Sequence, residues 1–183
     1  MQFLVRSEQK THMNATPASD LLRSEHRLVE TELDHLLDAV KHPTVDIVSD
    51  LRQALSAVQS LLQPHFEKEE RVVYSYVRSQ LPELLSKLDE QHEYARALEG
   101  HLVELLAAIQ VAPDERQRAE LVRFATELYD VIQHHIVDEE DQLLRLADSM
   151  LSQEEQTALA VKMKDVEASS LLNRERGLRE SAK

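Results

Sequence analysis

Two stretches of this chain fit one pattern. Gln63-Pro64-His65-Phe66-Glu67-Lys68-Glu69-Glu70 and Gln133-His134-His135-Ile136-Val137-Asp138-Glu139-Glu140 both read Q-x-H-h-x-x-E-E, where h is apolar. A lone histidine precedes each stretch: His26 in Ser24-Glu25-His26, and His92 in Glu90-Gln91-His92. Nine residues beyond each lies another histidine, His35 and His101. An internal duplication of this kind constrains the fold more than any composition does. It calls for two equivalent halves, each built from one element with a lone histidine and one with a His-x-x-x-Glu pair.

The elements are helices. Leu21, Leu22, Leu28, Val29, Leu33, Leu36 and Leu37 recur at helical spacing in the first. Thr16 before Pro17 predicts its start, as an N-cap with proline in the first turn. Lys41-His42-Pro43 predicts its end. Thr44 or Asp46 can cap the second helix, whose apolar positions include Val48, Leu51, Leu55, Val58, Leu61, Leu62, Val72, Val73 and Tyr76. Pro64 lies inside that pattern and predicts a bend or a division. Ser79-Gln80-Leu81-Pro82 ends the second helix and opens the third, which continues to Ile109. Ala112-Pro113-Asp114 breaks the chain before a fourth helix bearing Leu121, Val122, Leu128, Val131, Ile132, Leu143 and Leu146. Ser152-Gln153-Glu154-Glu155 is a capping box that starts a fifth.

Only two glycines occur in 183 residues, so there is little material for hairpin turns. The expected fold class is all-α: an antiparallel up-down four-helix bundle with an additional C-terminal helix. Residues 1–15 read as a flexible tail, 16–172 as the bundle with its fifth helix, and 173–183 as a frayed end.

The spacing of the repeat carries chemistry. Residues four apart share a helix face, so His65 and Glu69 aim at one point, as do His135 and Glu139. Adding His26 and His92 gives four imidazoles and two carboxylates, a donor set that suits iron and also zinc or manganese. A carboxylate can bridge two metals, which an imidazole ordinarily does not. Two histidines, one oxygen from each bridging glutamate and one bridging oxo or hydroxo make five donors per metal. An octahedral ion would keep one open position, where a small molecule can bind and react.

With the prolines as rulers, His92 and His135 come out level about Pro113, at 21 and 22 residues. His65 lies 22 residues from Pro43, but His26 lies only 17. The shortfall is about 7 Å along a helix and asks for a longer connection or a bend at Pro64.

Other histidines fall elsewhere. His35 and His101 are half a turn in azimuth from His26 and His92 and should face outward. His12 and His42 lie in the tail and a loop. His134 neighbours His135, but its counterpart in the other half is Pro64, which has no ligating group. Glu70 and Glu140 can orient a ligand histidine or simply be solvated, and solvation is the expectation. Tyr76 is expected to pack in the core.

Composition excludes several functions. The net charge of −13 opposes binding to nucleic acid or anionic membrane. With no cysteine, disulfides, thiolate catalysis, iron–sulfur clusters and cysteine-type zinc sites are absent. Neither a secretory leader nor a membrane span is legible, and a cytoplasmic location is expected. Oligomeric state cannot be read from these features.

The H…HxxxE…H…HxxxE order, with its HFEKEE and HHIVDEE segments, resembles the hemerythrin-like (HHE cation-binding) family over residues 17–165. The resemblance implies two non-haem irons, oxo- or hydroxo-bridged, held by His26, His65, Glu69, His92, His135 and Glu139. The chain departs from the oxygen carriers of that family. Arg96 stands where they have a fifth histidine, and HxxxE replaces their HxxxxD. Nor does the chain have the N-terminal cysteine segment of relatives linked to iron–sulfur repair. The ferritin-like di-iron class needs two E-x-x-H motifs, whereas only Glu32-Leu33-Asp34-His35 fits. The expected function is binding or sensing of O2, NO or iron at an open di-iron centre. Disproportionation of hydrogen peroxide is the alternative, and a metal-free interaction bundle is a third reading.

Overall fold

The computed structural model describes residues 16–42 and 46–181, with the side chains at 171 and 173–181 left aside. Expectations for the 1–15 tail, His12, Pro43, Thr44 and the last two residues of the frayed end fall outside the described residues. Helix α1 spans Ala18–Lys41. Helix α2, Ile47–Lys68, runs through a π turn at Glu69–Val73 into α3, Tyr74–Val77. Helix α4 spans Pro82–Ala108. Helix α5, Glu115–Asp138, passes a second π turn at Glu139–Leu144 into α6, Arg145–Met150. Helix α7 spans Gln153–Ser181. No strand occurs among the described residues, and the chain is an all-α bundle.

Helices α1 and α2 form one antiparallel hairpin and α4 and α5 the other. The hairpins meet along α1 with α5 and α2 with α4. Helix α7 lies against α1, α2 and the first π turn, closing one end of the bundle. Among the described helices, none is long and apolar enough to cross a membrane.

Local chemistry sets the helix ends. The capping residue expected at Thr16 is displaced by one: Pro17 occupies the N-cap of α1, and its carbonyl accepts the Leu21 N–H at 3.0 Å. Proline suits that place because its φ of −55° is already close to helical. His42 ends α1 and Asp46 stands at the N-cap of α2. Asp114 and Gln117 form a reciprocal capping box at the start of α5. Ser152 and Glu155 form another at the start of α7, with Glu155 Oε2 accepting the Ser152 N–H at 2.8 Å.

Pro64 does not divide α2. The helix continues through it to Lys68, and its first departure from α geometry comes at Glu69. The shortfall around His26 also disappears. His26 is fifteen residues from the end of α1 and His65 eighteen from the start of α2. The matching distances for His92 and His135 are sixteen and twenty. Proline was an uneven ruler, because Pro113 stands at the far end of its connection, directly before the Asp114 N-cap of α5.

The apolar core falls into two clusters among the described residues. One gathers Val29, Leu33, Leu55, Leu62, Phe66, Leu98, Leu128 and Ile136 with their neighbours. The other gathers Leu22, Val73, Tyr74, Leu88, Leu143 and Leu144 with Leu159 and Met163 of α7. On each long helix the four histidines lie where one cluster gives way to the other. They form a polar layer between two apolar ones.

Candidate metal centre

The polar layer contains His26 of α1, His65 of α2, His92 of α4 and His135 of α5, with Glu69 and Glu139 opening the two π turns. All six residues are buried, none more than 1% exposed. The histidines pair across each hairpin. The ring centroids of His26 and His65 lie 4.9 Å apart, and those of His92 and His135 4.7 Å apart. Between the pairs, His65 and His135 stand 6.4 Å apart.

Each glutamate reaches both pairs. Glu69 Oε1 lies 2.6 Å from His65 Nε2, while its Oε2 lies 3.1 Å from His92 Nε2 and 3.7 Å from His135 Nε2. Glu139 Oε2 lies 3.0 Å from His26 Nε2, 3.7 Å from His135 Nε2 and 4.0 Å from His65 Nε2. Close as they are, most of these atoms are not aligned as hydrogen bonds. The Nε2 atoms of His65, His92 and His135, both oxygens of Glu69 and Oε1 of Glu139 have no hydrogen-bond partner among the described residues. Buried polar atoms without partners are costly, and lone pairs converging on one another ask for a cation. Ligand atoms of His26, His65, Glu69 and Glu139 converge within 4.8 Å, and so do those of Glu69, His92 and His135. The donors present therefore fit metal ions.

Protonation follows the same logic in the metal-free protein. Burial pulls His65 down, but the carboxylates of Glu69 and Glu25 outweigh it and raise its pKa to about 10. Burial raises Glu69, yet the histidines around it hold its carboxyl well below the usual range. Burial pulls His135 below its ordinary value.

The outer nitrogens of three of the four histidines are also engaged. Glu140 lies 3.0 Å from His26 Nδ1, Glu25 3.0 Å from His65 Nδ1, and Glu70 2.8 Å from His92 Nδ1. The expectation that Glu70 and Glu140 are simply solvated is therefore corrected: each also meets an arginine, Arg96 at 2.7 Å and Arg27 at 3.3 Å. Such carboxylates fix the tautomer and ring orientation of a ligating imidazole. The doubled Glu-Glu of the repeat was the signal for these two. Glu25 was missed, because its repeat counterpart is Gln91.

Aromatic packing also escaped the sequence reading. Phe66 stacks on His92 with centroids 3.8 Å apart, and Tyr74 lies on the same ring at 6.1 Å. The Tyr74 hydroxyl is buried with no hydrogen-bond partner among the described residues. Elsewhere the histidines sit as expected. His35 and His101 are exposed, as is His134, whose Nδ1 lies 2.6 Å from the Asp130 carbonyl. Tyr76 is partly buried against the second cluster and accepts a hydrogen bond from Lys162 at 2.7 Å.

A helical bundle whose central layer is buried imidazole and carboxylate defines a metal-binding helical protein. The hemerythrin HHE cation-binding domain model matches residues 18–147, and the chain belongs to that family. No curated protein matches the chain.

Proposed function

We propose that the chain is a non-haem di-iron protein that binds or senses a small ligand such as O2 or NO, or reports iron. His26 and His65 would hold one iron and His92 and His135 the other, with Glu69 and Glu139 shared between them. One observation carries this reading: two histidine pairs, each within reach of both buried carboxylates, in which the inner nitrogens of His65, His92 and His135 and both oxygens of Glu69 have no hydrogen-bond partner among the described residues. Bound iron would supply redox chemistry and an open coordination position. The chain's own residues exclude water from the layer, orient the imidazoles through Glu25, Glu70 and Glu140, and set the Tyr74 ring beside His92, its hydroxyl without a partner among the described residues.

Elemental analysis of protein expressed with iron tests the reading. About two irons per chain, with a sharp fall in Glu69→Ala, supports it. Iron-free protein, or iron indifferent to that substitution, would overturn it. Anaerobically reduced protein should then change its absorption on exposure to O2 or NO, and an unchanged spectrum with both gases would sink the gas-binding role.

Disproportionation of hydrogen peroxide is a second reading, favoured by the Tyr74 hydroxyl, which is buried without a hydrogen-bond partner among the described residues. It predicts steady oxygen evolution from peroxide that is lost in His65→Ala. Turnover that survives that substitution removes it.

A further inference from the structure

The two halves of the repeat align in sequence at their histidines and glutamates, and two of the polar mismatches between them bear on the site. Glu25 precedes His26 where Gln91 precedes His92, and Lys68 stands where the second half has Asp138. In the first half, Lys68 Nζ donates to Glu25 Oε1 at 2.5 Å, and Glu25 Oε2 faces His65 Nδ1 at 3.0 Å. Lys68 is buried at 2% exposure, so this pair is built into the bundle. In the second half the polarity is reversed. Gln91 Nε2 donates to Asp138 at 3.0 Å, and Lys87 reaches the same oxygen at 2.7 Å. Gln91 Oε1 and His135 Nδ1 are both buried, with no hydrogen-bond partner among the described residues.

Both arrangements are close to neutral overall, so net charge does not distinguish them. What differs is where the carboxylate lies. In the first half it touches the imidazole; in the second it is one residue further out, behind an amide. An imidazole whose outer N–H donates to a carboxylate is the more basic ligand, and loss of such a partner typically lowers metal affinity about 10–100-fold. Both imidazoles of the His26–His65 pair have a carboxylate, from Glu140 and Glu25. In the His92–His135 pair only His92 has one, Glu70, among the described residues. The inner donors are unequal in the same sense: four converge around His26 and His65, three around His92 and His135.

We propose that the two metal positions are inequivalent, and that the part-buried Lys68–Glu25 pair makes the His26–His65 position the tighter and first-filled one. The His92–His135 position, beside Phe66 and Tyr74, is then the weaker and more exchangeable. This rests on the di-metal reading above and adds an order of filling to it. Glu25 acts through His65 and is a positioning residue, not a ligand.

Metal-free protein titrated with Co2+ against a competing chelator tests the proposal, read by absorption and by ions bound per chain. The expected result is two steps separated by about tenfold or more. Glu25→Gln should weaken the first step by about 10–100-fold and leave the second in place, so that the steps merge. Gln91→Glu should tighten the second step and leave the first unchanged. Far-ultraviolet circular dichroism of each variant separates lost folding from lost binding, and the two variants probe opposite halves. Two ions bound with one affinity would overturn the inequivalence while leaving the di-metal reading standing. So would equal weakening of both steps in Glu25→Gln, or a Gln91→Glu effect on the first. Folded wild-type protein that takes up no ion would sink the di-metal reading itself.

Discussion

Glu99 is a buried carboxyl outside the metal centre. It lies on α4, seven residues beyond His92, and is 4% exposed. Burial raises its pKa to about 7, and contacts from Gln59 and the Arg96 charge counter this only in part. The folded-state value exceeds the ordinary 4.5, so the folded chain binds the proton more tightly than the unfolded one. The stability this contributes is fully present below about pH 4.5 and is lost as the pH rises through 7. Glu99→Gln should therefore stabilise the protein increasingly as the pH rises from about 4.5 to 7 and level off above that, by about 2–3 kcal/mol at pH 8 and little at pH 5. Urea melts at the two pH values would show it, and an equal effect at both would refute the cause. At the metal centre, His65 retains a proton up to about pH 10 when no ion is present. Metal uptake at pH 7.5 should therefore release about one proton or more per chain, measurable in weakly buffered solution. Uptake without proton release would mean that His65 is neutral in the metal-free protein. The six residues of the buried polar layer were legible in the sequence because the repeat shows each type twice. Glu25 was not, since a repeat exposes only what both copies share, and here the copies carry Glu and Gln.

The π turns explain which part of the helical register was misread. Continued α spacing from Glu69 predicts inward positions at Val72, Val73 and Tyr76. The structure buries Val72 and Val73 as expected, but then Tyr74 and Val77, and leaves Tyr76 partly exposed. The second half repeats the slip, with Leu144 and Ala147 buried and Leu146 only partly so. A π turn inserts one residue into the helix, which advances every later inward position by one. Apolar spacing cannot reveal this, because two adjacent apolar residues, Val72-Val73 or Leu143-Leu144, satisfy either register. Both turns begin at the glutamate of the repeat, so the same insertion that shifts the packing also opens the backbone at the candidate ligands. Helix ends were more legible where side chains make them. The Ser152–Glu155 box follows the S-x-x-E pattern and is present. Removing it in Ser152→Ala should cost about 1 kcal/mol and lower the melting temperature by about 2–4 °C. A change within experimental error would mean that α7 is held by its packing alone. That packing is tested separately by Met163→Ala, which empties a fully buried position where α7 meets the second apolar cluster. The expected loss is about 2–4 kcal/mol in chemical denaturation.

At the scale of the whole molecule, a polar layer divides the core, and the two apolar clusters lie on either side of it. Desolvating four imidazoles and two carboxylates is unfavourable unless something occupies the space between them. In the metal-free protein, protons are the available substitute. They serve unequally: His65 holds one tightly, while burial keeps His135 from taking one. The depressed His135 pKa contributes stability that is present above its ordinary 6.5 and lost as the pH falls through its folded value. The raised His65 pKa contributes stability that is present below 6.5 and lost as the pH rises through about 10. Metal-free protein should therefore be most stable near neutrality and lose stability on both sides. A bound ion replaces both proton effects with one interaction made only by the folded chain. At a hundredfold excess of free ion over its dissociation constant, each site adds about 2.7 kcal/mol. For a chain of this length, one filled site should raise the melting temperature by about 5–10 °C. Thermal melts from pH 5 to pH 9, with chelator and with iron or Co2+, would display this as two curves. The metal-free curve should arch, and the loaded curve should lie above it across the neutral range and converge with it in acid, where protons displace the ion. Coincident curves at neutral pH would mean that the central layer is satisfied without metal, and that the two apolar clusters hold the bundle together unaided.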